Sequence, residues 1–348
     1  MEKLNDILNK FQIPDLPYQF ETISNGFIND TYLVSNEKDP TYILQRINTK
    51  VFTNINSLIH NLDLVLPLLK HENYQSITLA KTDSGESFFR DGSGNIWRLM
   101  TFIKGSIVFN TTTNPKIAFE AGRIIGLFHK ILANFNVELL EDTLPKFHNI
   151  SFRYDQFTEI LQKAEKERIE VAQKAIIFVE ENISMLKNID VDELPIKVCH
   201  NDTKLNNILF SKNNESLCLI DLDTIMKGTF LYDFGDAIRT ISNTAVEDEK
   251  DLSIINFTTE LFEAFIEGLA INGSFLTEEE KEFLPLSVVL MPFLHGIRAL
   301  TDYLDNNRYY KVTYETQNLD RSFSLFTFAQ LAIDNQDVMK KIISNKLS

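Results

Sequence analysis

The sequence predicts an α+β, bilobal protein in which a small N-terminal antiparallel sheet lobe precedes a larger, mainly helical C-terminal lobe. Short runs rich in β-branched and aromatic residues, separated by turn residues, fill 18–104. Segments with apolar residues at helical spacing fill most of the chain from 105 onward. A single β-hairpin pattern interrupts those helices between 196 and 223.

The expected strands are YQFETIS, TYLVS, TYILQRIN, ESFFR and NIWRLMTFI, the last two joined by the turn DGSGN. One helix interrupts them over 54–70, where Ile55, Leu58, Ile59, Leu62, Leu66 and Leu69 recur on one face. Strand character stops at Lys104-Gly105, which divides the chain into 1–104 and 105–348. Beyond that point PKIAFEAGRIIGLFHKILANF, QKAEKERIEVAQKAIIFVEENISML and DLSIINFTTELFEAFIEGLA read as helices, as does most of the chain from there to the C-terminus. The exception is NNILF and LCLID around the polar turn SKNNES. The chain has no internal repeat.

With 348 residues, 44% of them hydrophobic, the chain can bury a large core shared by two lobes. It has no apolar run of about eighteen residues, and MEKLNDILNK alternates charge, so neither a membrane span nor a secretory signal is indicated. A cytoplasmic monomer or homodimer is expected. Cys199 and Cys218 lie in apolar segments and read as buried free thiols. The net charge of −15 argues against a general nucleic-acid surface, which needs clustered cations.

The most informative residues bracket the hairpin: His200-Asn201-Asp202-Thr203-Lys204-Leu205-Asn206-Asn207 before it and Ile220-Asp221-Leu222-Asp223 after it. Singly, Asp and Asn here would read as turn caps. Together, the spacing HxDxKxxN, the hairpin and the acidic strand end resemble the catalytic loop and metal-binding aspartate of the protein-kinase-like fold. The version is the one without the HRD arginine, found in aminoglycoside phosphotransferases and choline kinases. The resemblance implies ATP and Mg²⁺ as cofactors. Phosphoryl transfer needs metal ions and donors for the developing negative charge, plus an in-line hydroxyl. Asp202 would accept the proton of that hydroxyl, Lys204 would reach the phosphoryl group, and Asn207 and Asp221 would hold Mg²⁺. His200 is expected to organise the loop, Asp233 of KGTFLYDFGDAIR to brace it, and His129 of GRIIGLFHKIL to serve as scaffold. Asp223 is either a partner that orients the loop or a surface acid.

The N-terminal lobe would hold the nucleotide. WRLMTFIKG has the character of a strand running into a hinge, which makes Met100, Thr101, Phe102 and Ile103 the expected adenine contacts. The turn SNGFINDT, with Gly26, would cover the phosphates through backbone N–H groups. Where a kinase carries the lysine of V-A-I-K, this chain has Tyr42-Ile43-Leu44-Gln45 followed by Arg46. Either Gln45 donates neutral hydrogen bonds or Arg46 turns inward, and strand alternation favours Gln45. Asp63 and Glu72 are possible partner acids of the missing lysine.

GFINDTYLV, YILQRINTKVF, HNDTKLNNILF, IDLDTIMKGTFLYDFGDAIR, EDEKDLS and RALTDYLDNNRYY together resemble the N-acetylhexosamine 1-kinases, from about 18 to the C-terminal helices. That resemblance implies ATP-dependent phosphorylation of the anomeric hydroxyl of N-acetylglucosamine or N-acetylgalactosamine. It makes Asp202, Arg298 and Tyr309 the substrate residues. On residue type alone Arg298 reads equally as a helix-surface charge and Tyr309 as a packing aromatic. Phe27 stands where those kinases have histidine, which removes one polar contact. Two alternatives stand beside this reading. One is a kinase of the same fold acting on an amino alcohol, homoserine, a thioribose or an aminoglycoside, for which Glu247-Asp248-Glu249 could supply carboxylates. The other is a nucleotide-binding pseudokinase, suggested by the absent strand lysine.

Overall fold

The computed structural model describes residues 2–23, 28–37, 39–188 and 193–347. A short helix α1 (Glu2–Leu8) precedes strands β1 (Tyr18–Ile23), β2 (Asp30–Asn36) and β3 (Asp39–Ile47). Helix α2 (Ile55–Val65) comes next, then β4 (Phe89–Arg90) and β5 (Ile96–Thr101). The strands form one antiparallel sheet in the order β1-β2-β3-β5-β4. Val34, Leu44, Trp97 and Leu99 bury one face against Ile7, Leu8 and Phe11. Because side chains alternate along a strand, Gln45 and Arg98, directly opposite in the β3–β5 register, share the other face.

Beyond the sheet come α3 (Pro115–Leu132), α4 (Ile150–Leu161) and α5 (Lys166–Lys187). Four short strands, β6 (Lys197–Cys199), β7 (Ile208–Phe210), β8 (Ser216–Leu219) and β9 (Met226–Gly228), interrupt the helices. The chain ends with α6 (Phe230–Ile241), α7 (Thr259–Ala270), α8 (Glu278–Leu304), α9 (Gln317–Asp334) and α10 (Gln336–Lys346). The fold is thus the α+β arrangement expected, an antiparallel sheet followed by a mainly helical part. Helix α8 is apolar and long enough to cross a membrane by composition, but its apolar stretch is largely buried in the core. Both cysteines are buried and unpaired.

Local chemistry accounts for the departures from expectation. Helix α2 stops at Val65 and tightens into a 3₁₀ turn, Leu66–Leu68, because Pro67 has no N–H to continue the ladder. Only Phe89–Arg90 of ESFFR pairs with β5. Glu86 instead closes a turn, its carbonyl accepting from Thr82 N at 2.8 Å. The segment 251–270 is not one helix. Asp251 caps a 3₁₀ turn at Leu252–Ile254, and Thr258 N donates to Ser242 O at 2.8 Å, which ties the chain to the end of α6 before α7 begins. The β6–β9 ribbon pairs three residues from each strand, too few for alternation to show in sequence.

The strip that carries the site is fixed from two sides. After Gly105, with its φ of 71°, Ile107 pairs with Phe210, so the chain leaving the sheet joins the β7–β8 hairpin at once. On the other side, α6 packs so closely on α8 that a Cβ at Gly235 would lie 2.2 Å from Ser287 O. Alanine in an exposed helix normally gains about 1 kcal/mol over glycine, but overpacking a rigid contact costs roughly 1–3 kcal/mol. Gly235→Ala is therefore expected to lower the urea midpoint, and an unchanged or higher midpoint would show that α6 and α8 can separate freely.

Candidate active site

The segment 200–207 connects β6 to β7 and is held by a carboxylate it does not contain. Asp233, fully buried in the first turn of α6, accepts from His200 N at 2.8 Å, Asn201 N at 2.7 Å and His129 Nε2 at 2.8 Å. Its carbonyl accepts from Thr203 Oγ1 at 2.5 Å. Asn201 adopts a left-handed backbone, φ 63°, and its amide donates to Cys199 O and Thr224 O. His200 takes Asp202 N–H on Nδ1 at 3.3 Å and donates from Nε2 to Ile220 O at 2.9 Å, linking the two ends of the hairpin.

These bonds present Asp202, Lys204 and Asn207 side by side. Asp202 Oδ2 accepts from Lys204 Nζ at 2.8 Å and from Asn207 Nδ2 at 2.7 Å. The Asn207 amide nitrogen is thereby committed, also donating to Asp202 O, which leaves its oxygen as the group able to face a cation. Ile220 N donates to Asn207 O at 2.8 Å and brings Asp221 alongside. Asp221 has a left-handed backbone, φ 61°, and keeps solvent-exposed surface although protein atoms surround its carboxyl. Loss of bulk water there, then repulsion by Asp223 and Asp202, raises its carboxyl to about 6 against the pull of Lys204 and Arg98. Burial alone would lower the Lys204 ammonium, but Asp202 and then Asp221 outweigh it and raise it.

An acid held above its ordinary range first by burial and then by other acids, beside an amide oxygen, is a donor set suited to a hard divalent cation. Among the described residues no group of three or more His, Cys, Asp or Glu could hold a metal by itself. Asn207 and Asp221 therefore suit Mg²⁺ shared with ligand oxygens rather than enclosed by protein.

On the sheet side, the backbone of the expected adenine segment is partly committed. Met100 lies in β5, Thr101 N donates to Thr78 O and Phe102 N to Thr41 O, each at 3.0 Å. Among the described residues the Ile103 N–H has no acceptor, so it is the donor left for a ligand edge. Gly26 and Phe27 lie outside the described residues. Gln45 faces inward, while Arg46 turns outward to the exposed Asp30 and lies over the Trp97 ring. Asp63 binds Lys81 and Ser87, and among the described residues Glu72 bonds only to Asn73, so neither acid is paired with Gln45.

Asp223 proves to be a buried anchor. It pairs with the buried Arg98 and accepts from Asn29 Nδ2 at 2.8 Å. Sequence reasoning missed Arg98, although a lone arginine inside the apolar run IWRLM was a signal of a buried partner.

A cavity of about 330 Å³ beside the loop is lined by Lys204, Asn206, Arg239, Thr240, Glu247 and Asp248, among others. Glu247 accepts from Arg239 at 2.9 Å and Arg321 at 2.6 Å, and these arginines outweigh burial and hold it well below the usual carboxylate range. Arg298 and Tyr309 do not line this cavity. The Arg298 guanidinium lies 4.9 Å from the Phe147 ring centre, and Tyr309, 59% exposed, packs edge-on against Tyr310. Both influence the Arg153 guanidinium, so the two lie in one neighbourhood.

The sequence pattern of the phosphotransferase enzyme family, APH, matches residues 19–283. Solved structures share the fold at low identity. A microcompartment-associated aminopropanol kinase aligns with TM-score 0.65 and 16% identity, covering 97% of this chain and 98% of its own. ADP-bound aminoglycoside phosphotransferase APH(2'')-Ib aligns at 0.58 and 18%, covering 94% and 98%. Choline kinase from Cryptosporidium parvum Iowa II aligns at 0.62 and 14%, covering 99% of each chain.

The loop has a further support whose protonation is testable. His148 donates from Nε2 to Asn201 O at 3.0 Å, and burial, then His295, lower its pKa to about 3, with Asp236 opposing. A histidine neutral in the fold but ordinary when unfolded contributes full stability above about 6.5 and loses about 1.4 kcal/mol per pH unit as pH falls towards the folded value. Urea titrations should show wild type losing stability relative to His148→Gln between about pH 6.5 and 4. Parallel curves would mean that His148 is not held neutral.

Proposed function

The chain belongs to the phosphotransferase enzyme family, and on that premise we propose that it transfers the γ-phosphoryl group of ATP, with Mg²⁺, to a hydroxyl of a small molecule, specifically the anomeric hydroxyl of an N-acetylhexosamine. The observation that carries the transfer reading is the Asp202 carboxylate held between Lys204 and Asn207 on a loop braced from α6. We divide the chain into a nucleotide lobe, 1–104, and a catalytic and acceptor lobe, 105–348, meeting at Gly105.

In this mechanism Asp202 orients the acceptor hydroxyl and takes its proton. Lys204 places its ammonium beside that carboxylate, where charge shifts toward the transferring group. Asn207 and Asp221 would hold Mg²⁺, which supplies charge neutralisation for the polyphosphate. Ile103 N–H would meet the adenine edge, and ADP and AMP-PNP complexes among the fold neighbours fit a nucleotide in the cleft. Retention of Asp202, Asn207 and Asp221 weighs against the pseudokinase reading.

The acceptor side favours a neutral, hydroxyl-rich molecule. Glu247 is already neutralised by two arginines, and among the described residues Arg298 has no carboxylate partner. At the separate patch of Arg298 and Tyr309 a cationic acceptor would meet a guanidinium without a carboxylate, whereas sugar hydroxyls and an acetamido carbonyl can accept from Arg298 and the sugar's C–H face can lie on Tyr309. The sugar itself rests on resemblance in sequence. One feature supports an amino alcohol instead: Asp248 lines the cavity bonded to Gln317 Nε2 at 3.0 Å, with no cation partner among the described residues.

ADP release with Mg-ATP and a panel of N-acetylhexosamines, amino alcohols and aminoglycosides separates these readings, with turnover expected on the hexosamines. Turnover on an amino alcohol that disappears in Asp248→Asn would replace the sugar assignment. Asp202→Asn should reduce kcat by about two to four orders of magnitude, the usual worth of general-base assistance, while nucleotide binding persists. A fully active Asp202→Asn enzyme removes the mechanism.

A further inference from the structure

A lysine on β3 normally places a cation at the phosphates and pairs with an acid of the neighbouring helix. This chain has Gln45 at that place, and neither Asp63 nor Glu72 reaches it. The residue opposite Gln45 in the ladder is Arg98 on β5. Its Nε and one Nη donate to Gln45 Oε1 at 2.9 Å and 2.6 Å, and its other Nη donates to Asp223. A guanidinium has donors only, so both contacts to Gln45 must end on the amide oxygen. The orientation of the amide is therefore set. Its nitrogen points away from Arg98, gives one hydrogen to Thr31 Oγ1 at 3.1 Å, and carries a second.

We infer that Arg98 is the positioning residue that turns Gln45 into the polyphosphate donor of the sheet, with Asp223 as its acid partner in place of a helix acid. The inference rests on the kinase reading of the cleft. Arg98 is 1% and Asp223 2% exposed, so the pair does not itself meet a ligand; it acts through what it holds. It holds Gln45 on β3, Asn29 just beyond the first turn, and the segment that begins at Asp221. Gln45 is half-buried on the same sheet face as Arg98, and with Arg98 paired to Asp223 its remaining N–H is the donor left to meet an anion there.

Calorimetric titration with Mg-ATP, which needs no acceptor, tests this on the intact chain. Gln45→Met keeps the bulk but has no donor, and should weaken Mg-ATP binding about tenfold, the worth of one hydrogen bond to a charged group. Gln45→Glu keeps the acceptor for Arg98 but faces the phosphates with a carboxylate oxygen, and should weaken it further, on the order of a hundredfold. Both should leave the acceptor KM nearly unchanged. Arg98→Lys should recover part of the affinity lost in Arg98→Met. If Arg98→Met does not fold, because Asp223 is left buried without its partner, the Gln45 variants decide. Wild-type affinity in Gln45→Met, or equal losses for nucleotide and acceptor, would overturn the inference while leaving the kinase reading intact. A wild-type chain that binds no Mg-ATP would overturn both.

Discussion

The candidate site depends on one buried carboxylate. Asp233 takes hydrogen bonds from His129 and from two consecutive backbone N–H groups, and together with the bonds of Asn201 to Cys199 O, Thr224 O and His148 these hold Asn201 in its left-handed conformation. Such a backbone costs on the order of 1–3 kcal/mol. Bonds to a charged acceptor contribute roughly 1.5–3 kcal/mol each, so the brace outweighs the strain. Its place in the first turn of α6 adds a favourable helix dipole, and the close contact at Gly235 keeps that helix where the loop needs it.

A second constraint is the treatment of negative charge. Asp202 and Asp223 both act on Asp221, and each of the three is handled differently. Asp223 is buried with Arg98, which offsets a desolvation penalty of several kcal/mol. Asp202 shares Lys204 and remains partly accessible. Asp221 is left with its carboxyl raised, the condition a divalent cation would relieve. The same pattern appears at the cavity, where Glu247 is paired with two arginines and so is withdrawn from recognition.

Much of this was legible in sequence because it is local. The sheet, the hairpin and the grouping of Asp202, Lys204 and Asn207 arise from turn chemistry, alternation and a spacing of five residues, all within reach of neighbouring backbone. The strand alternation that turned Gln45 inward also turned Arg46 out to Asp30. The break between 254 and 259 was not legible, since the acceptor that stops the helix, Ser242 O, arrives from the end of another one.

Spacing and periodicity therefore determined which side chains could act as a set on one loop and which strand faces would carry them. Tertiary structure alone decided which charges are paired. Arg98 reaches Asp223 across 125 positions, and Arg321 reaches Glu247 across 74. The physical reason is that the sign and strength of a charge's effect depend on its distance from partners and from water, and both are set only when strands and helices are brought together.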